Sequence, residues 1–178
     1  KDIIVDGIPA SVLSVSSTSD NGAYKIGDDV IITVQFNEAV NVTGVPQLTL
    51  ETGTNDGVAS YSIGSGTNTL SFIYTIIAGH ENSDLEYNSS TAFSLNNSVI
   101  QDLAGNNVSL TLPTVGETGS LATNKDIVID GVFAMVDSVS AITANGYFKA
   151  GDTLNITVHF DENVNVTAIP QLALETGS

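Results

Sequence analysis

The sequence predicts an all-β protein, an antiparallel β-sandwich repeated in tandem. Three observations carry the expectation. The chain repeats itself: Lys1 to Gly53 returns as Lys125 to Gly177 without a gap, at a constant offset of 124 residues, as from Asp2 to Asp126. Apolar residues recur with a period of two almost everywhere, which is the signature of strands with one buried face. Turn signals rich in Gly, Asn and Asp punctuate the alternating runs.

The repetition is close. Asp2-Ile3-Ile4-Val5-Asp6-Gly7 returns as Asp126-Ile127-Val128-Ile129-Asp130-Gly131, and Lys25-Ile26-Gly27-Asp28 as Lys149-Ala150-Gly151-Asp152. Phe36-Asn37-Glu38-Ala39-Val40-Asn41-Val42-Thr43 returns as Phe160-Asp161-Glu162-Asn163-Val164-Asn165-Val166-Thr167. About three positions in five are identical, far above chance, which defines a tandem repeat. The expected organisation is a complete unit over 1–125, including its C-terminal linker, and the first part of a second unit over 126–178. The second copy stops partway through, so the chain reads as a window on a longer array.

In chain order, strands are expected near 10–17, 29–36, 45–51, 58–63, 68–77, 92–100 and 107–112, with a short one at Leu85 to Tyr87. The clearest alternation is Ile32, Val34 and Phe36 on one face with Thr33 and Gln35 on the other. Leu70, Phe72, Tyr74 and Ile76 repeat it, as do Leu154, Ile156, Val158 and Phe160 in the second copy. Asp20-Asn21-Gly22, Ile26-Gly27-Asp28, Gly64-Ser65-Gly66 and Ala104-Gly105-Asn106 supply turns between runs. Residues 114–130 read as the tail of the first unit and a short, semi-stiff join to the second. About seven short strands with frequent turns make a sandwich. Residues 1–125 are expected to fold alone, and 126–178, with about three strands, are not.

Composition narrows the function. The formal charge is −16, from 20 acidic residues against 4 lysines and no Arg. Nucleic-acid binding needs clustered cations, so that class is excluded as an expectation. Hydrophobic residues make up 42% and charged residues only 13%, which is the balance of a globular fold and not of an acidic tail. Cys is absent, which leaves the redox compartment open. No apolar run is long enough to span a bilayer, so no membrane insertion is expected in this segment.

These motifs, with Asp102-Leu103-Ala104-Gly105-Asn106, resemble the immunoglobulin-like tandem repeats of giant bacterial surface proteins and adhesins, in particular the repeat family labelled SWM or flagellar-system-associated. The resemblance spans essentially the whole chain. It implies immunoglobulin-like β-sandwiches, an extracellular, cell-surface location and calcium at domain joins. Phe133 departs from the pattern, standing where the first unit has Pro9.

Catalysis is not expected. The two histidines are His80 and His159, and His159 is replaced by Gln35 in the other copy. A general base would not be dispensable between repeats. Adjacent acids such as Asp28-Asp29 point to opposite faces of a strand and do not make an acid–base pair. No Gly-rich stretch has phosphate-loop spacing.

Calcium is the sharper expectation, and strand direction argues for it. An antiparallel meander brings Asp6, Glu38, Asp102 and Asn106 to one end of the sandwich, although they are distant in sequence. Asp28 and Asp84 belong at the opposite end. At the join the candidates are Asp130 and Glu162, with Asp126 nearby. Oxygen ligands from several loops suit Ca²⁺, which accepts six to eight oxygens in flexible geometry. The bland alternative is that these acids cap turns, as Asp and Asn commonly do. The functional expectation is a non-enzymatic spacer whose partners are neighbouring repeats, with self-association through the incomplete second unit as a further expectation. The rival is a module that recognises a glycan or protein.

Overall fold

The computed structural model describes residues 5–175, so the motif residues Asp2, Ile3, Ile4, Thr176 and Gly177 lie outside it. The chain divides into two compact units, Lys1–Val132 and Phe133–Ser178. The first is an all-β sandwich.

Its main sheet is built from the alternating runs. β1 (Val12–Ser17) pairs antiparallel with the long β3 (Asp29–Thr43), after the short β2 (Gly22–Lys25). β4 (Gln47–Glu51), β5 (Gly57–Ile63) and β6 (Thr67–Thr75) follow as a meander. β6 folds back on β3, so the sheet runs β1-β3-β6-β5-β4. Next come β7 (Glu81–Asn82), β8 (Glu86–Tyr87), β9 (Phe93–Ser94) and β10 (Val99–Asp102). β8 and β9 pair with β4, and β10 pairs with β3.

Period-two patterning decides what is buried. Val30, Ile32, Val34 and Phe36 of β3 point inward, opposite Leu70, Phe72 and Tyr74 of β6, with Val34 in register with Leu70 and Ile32 with Phe72. Phe72 and Phe93 meet edge-on at 5.4 Å, a favourable arrangement for aromatic quadrupoles. His80 is buried with the core, its Nδ1 2.7 Å from the Tyr74 hydroxyl. A core position, not an exposed reactive one, accounts for this histidine.

β3 does not end at Phe36 as the sequence pattern suggests. Its register against β6 breaks between Gln35 and Val40, and beyond the break the strand pairs with β10, Val40 opposite Asp102. An irregularity of this kind bends a strand and re-aims its side chains. The expected strand over 92–100 splits in two at Asn96 and Asn97, whose φ angles of 46° and 62° Asn tolerates better than most residues. The segment 107–112 is not a strand. It docks through separate bonds, Ser109 N–H to the Ala10 carbonyl and Leu112 N–H to that of Ser90, so no continuous ladder forms.

The first compact unit runs past residue 125, to Val132. A four-residue helix, α1 (Leu121–Asn124), leads into β11 (Ile127–Asp130). β11 lies parallel to β2 and antiparallel to β7 in a three-stranded sheet. Ile127 and Ile129 are buried in the first unit's core. The strand therefore closes the first unit, and the join follows it. Gly131 is pressed into the first unit as well: its N–H bonds the His80 carbonyl at 2.7 Å and its carbonyl accepts from Gly79 N–H at 2.8 Å.

The second unit holds one hairpin among the described residues, β12 (Val136–Ala141) with β13 (Ile156–Phe160). It repeats the first unit's bonds residue for residue. Val136 faces Phe160 as Val12 faces Phe36, with the same register shift one step on. Met135 N–H bonds Asp161 Oδ1 at 2.8 Å, as Ser11 N–H bonds Asn37 Oδ1 at 2.7 Å. Lys149 N–H bonds Asp152 Oδ2 at 2.9 Å, as Lys25 N–H bonds Asp28 Oδ2 at 3.0 Å.

Candidate metal centre

Three carboxylates converge at one end of the first unit. Asp6 precedes β1, and its Oδ1 accepts the N–H of Ile8 at 3.1 Å, a local turn that fixes the side chain. Glu38 sits in the irregular stretch of β3. Its neighbour Asn37 is pinned to Ser11 by a pair of bonds, at 2.7 Å and 3.0 Å. Asp102 ends β10, directly opposite Val40. One oxygen from each of Asp6, Glu38 and Asp102 lies within 4.8 Å of the others.

Asp102 is buried and accepts several hydrogen bonds. Its Oδ1 accepts the N–H groups of Ala104 at 2.9 Å and Asn106 at 2.8 Å, and its Oδ2 accepts the Asn106 side-chain amide at 2.8 Å. Burial alone would raise its pKa. The hydrogen bonds from the Asn106 side chain and from the backbone of Asn106, Ala104 and Gly105 outweigh burial and hold the carboxyl below the usual range. Glu38 is pushed the other way, by desolvation first and then by the charges of Asp6 and Asp102. One end of the cluster is thus a fixed anion, and the other is an anion held at a cost.

This donor set is all oxygen and all carboxylate. Such ligands suit a hard divalent cation, with water or carbonyl oxygens completing the shell. A cation would remove the repulsion that Glu38 feels. All three members of the group are carboxylates, with no histidine among them.

The other expected site residues are placed differently. Asn106 spends its side-chain nitrogen on Asp102 and on the Asp6 carbonyl at 3.2 Å, so it holds two of the acids together. Asp28 caps the turn before β3 through Lys25 N–H. Asp130 does the same for Val132 N–H at 3.3 Å, at the end of β11. Glu162 lies exposed in the second unit. Asp84 has its pKa raised by burial, then by the charges of Asp126 and Glu86, yet these acids do not bring ligand atoms together. Asp6, Glu38 and Asp102 are the one such group among the described residues.

Glu86 was not foreseen. It is buried, and its Oε1 accepts Leu121 N–H at 3.0 Å and Tyr87 N–H at 3.1 Å, while Oε2 accepts Ala122 N–H at 3.2 Å. The carboxylate thus satisfies the free N–H groups that begin α1. Its run Leu85-Glu86-Tyr87 is buried without a break, so alternation offers no signal for it.

No protein-family model, no curated protein and no solved structure matches this chain.

Proposed function

We propose that this chain is a non-enzymatic structural repeat from an extracellular, adhesin-like bacterial surface protein, a spacer whose joins are stiffened by calcium. The observation that carries the reading is the meeting of Asp6, Glu38 and Asp102 within 4.8 Å, from three separate parts of the chain. The group recurs in part in the second copy, where Asp130 and Glu162 occupy the positions of Asp6 and Glu38. A ligand set that recurs with the repeat suits a structural role in every unit. Bound Ca²⁺ ties the segment ahead of β1 to the sandwich, and so fixes the angle at which a neighbouring unit departs.

The test is calorimetric titration of the 178-residue chain with Ca²⁺, together with melting in calcium and in chelator. Saturable binding at a Kd on the order of 0.1–1 mM is expected, in the range of extracellular calcium modules. A hundredfold excess over Kd would add about 2.7 kcal/mol to the first unit. Glu38→Gln and Asp102→Asn should each remove the calcium dependence. Identical melts with and without calcium, and no heat of binding, would end the reading.

A further inference from the structure

Asn21-Gly22 is the one Asn-Gly step in residues 1–132, and Gly22 opens β2. An asparagine before glycine is a labile amide, because the glycine nitrogen, with no β-carbon beside it, can reach the asparagine side-chain carbonyl. Both residues are exposed. Nothing lies within 4 Å of where a β-carbon on Gly22 would stand, so bulk does not shield the step. Two hydrogen bonds hold it instead, and both run to the backbone of one residue. Gly22 N–H donates to the Asp126 carbonyl at 3.0 Å, and Asn21 Oδ1 accepts Asp126 N–H at 3.3 Å. Asp126 leads directly into β11, which continues the parallel ladder with Ile127 in register with Gly22. The nucleophile and the electrophile of a deamidation are thus both tied to β11.

We propose that Asn21 is a site of spontaneous deamidation gated by β11. While β11 is docked, the Gly22 N–H is held in the ladder and the Asn21 carbonyl is held by Asp126. When the strand opens, Gly22 N loses its proton to hydroxide and bonds to Asn21 Cγ. The Cγ–Nδ2 bond breaks, and the leaving nitrogen takes a proton from water and departs as ammonia. Water then opens the cyclic imide. Cleavage on the Cγ side gives aspartate, and cleavage at the backbone carbonyl gives isoaspartate, whose main chain is longer by one methylene. Either product puts a new carboxylate beside Asp126, where Asp84 already feels the charges of Asp126 and Glu86. Isoaspartate also moves Gly22 out of register with Ile127, so the buried Ile127 and Ile129 no longer return to their places. The change is one-way, and it records that the first unit has opened.

The experiment incubates the 178-residue chain in mildly alkaline buffer and weighs the tryptic fragment 2–25, in which Asn21 is the one asparagine. A synthetic peptide of residues 17–25 sets the unprotected rate. The folded chain should deamidate more than about tenfold slower, because the reactive state is reached only by local opening. Ile129→Ala, which loosens β11, should speed the reaction several-fold. Val34→Ala, which weakens the core between β3 and β6, should leave it unchanged. If Ile129→Ala does not fold, hydrogen exchange at Gly22 N–H in the unaltered chain decides, since its protection factor should match that of Asn21. Chains converted to isoaspartate at residue 21 should melt below unmodified ones. A folded chain that deamidates at the peptide's rate overturns the inference. Equal acceleration by Ile129→Ala and Val34→Ala also overturns it, since global unfolding is then the gate.

Discussion

Asn106 grips Asp102 twice, its backbone N–H on Oδ1 at 2.8 Å and its side-chain amide on Oδ2 at 2.8 Å. The same amide nitrogen reaches the Asp6 carbonyl at 3.2 Å, so one neutral residue sets the spacing of two acids. Groups that orient metal ligands without touching the metal commonly matter for affinity by one to two orders of magnitude.

Asn106→Ala should therefore weaken Ca²⁺ binding about 10- to 100-fold while leaving all three carboxylates in place. Titration calorimetry checks it. Unchanged affinity would confine Asn106 to the local turn.

The opposed pKa shifts of Glu38 and Asp102 make a signed prediction for chelated protein. Glu38 is raised on folding, so between its unfolded and folded values the folded state binds more protons. Its ionisation costs stability as pH rises through that window. Asp102 is lowered, so its contribution is present above the usual carboxylate value and is lost as pH falls. In chelator, Glu38→Gln should raise the melting temperature at pH 7 and Asp102→Asn should lower it. With calcium bound, Glu38→Gln should become destabilising. Melts at pH 3–7 with and without calcium give the comparison.

Closure by β11 is measurable with two fragments. Residues 1–132 should melt cooperatively, and residues 1–125 should not reach the same stability, because they lack Ile127 and Ile129. In the full chain, Ile129→Ala should cost about 2–5 kcal/mol. Gly131→Ala should also be severe, because a β-carbon there would collide with the carbonyl oxygens of Ile77 and His80. Its repeat-mate Gly7 meets nothing within 4 Å, so Gly7→Ala should be mild.

Glu86→Ala leaves the N–H groups of Tyr87, Leu121 and Ala122 without their acceptor. A loss of about 1–3 kcal/mol is expected, as for stranding buried donors. The guanidinium midpoint of the first unit would register it. The calcium affinity should not move.

How far the sequence could be read follows from what alternation reports. β3, β5 and β6 were legible because each buries one face, and Val34, Phe72 and Tyr74 fall on the inward side as spaced. The meeting of Asp6, Glu38 and Asp102 was legible from strand direction. The extension of β3 beyond Phe36 was not, because an irregularity between Gln35 and Val40 leaves no mark in an apolar pattern. That Asn106 binds two of the acids through its amide nitrogen was not legible, because an amide offers oxygen and nitrogen alike and only the bonds show which is used. The place of Ile127–Asp130 was hidden by the repetition itself. Self-similarity fixes the period of an array but not where one folded body stops.

That difference of phase sets an order of events during synthesis. Ile127 and Ile129 fill the first unit's core, although their motif opens the second copy of the repeat. A nascent chain leaves the ribosome from its N-terminus, and domains fold as they emerge. With every strand up to β10 already made, the first unit still shows an open slot between β2 and β7. It shuts only when translation has passed Asp130 and entered the following copy. The first unit is thus locked by residues whose sequence motif opens the second copy. A ribosome that stalls before Ile127 releases a first unit with its last slot open.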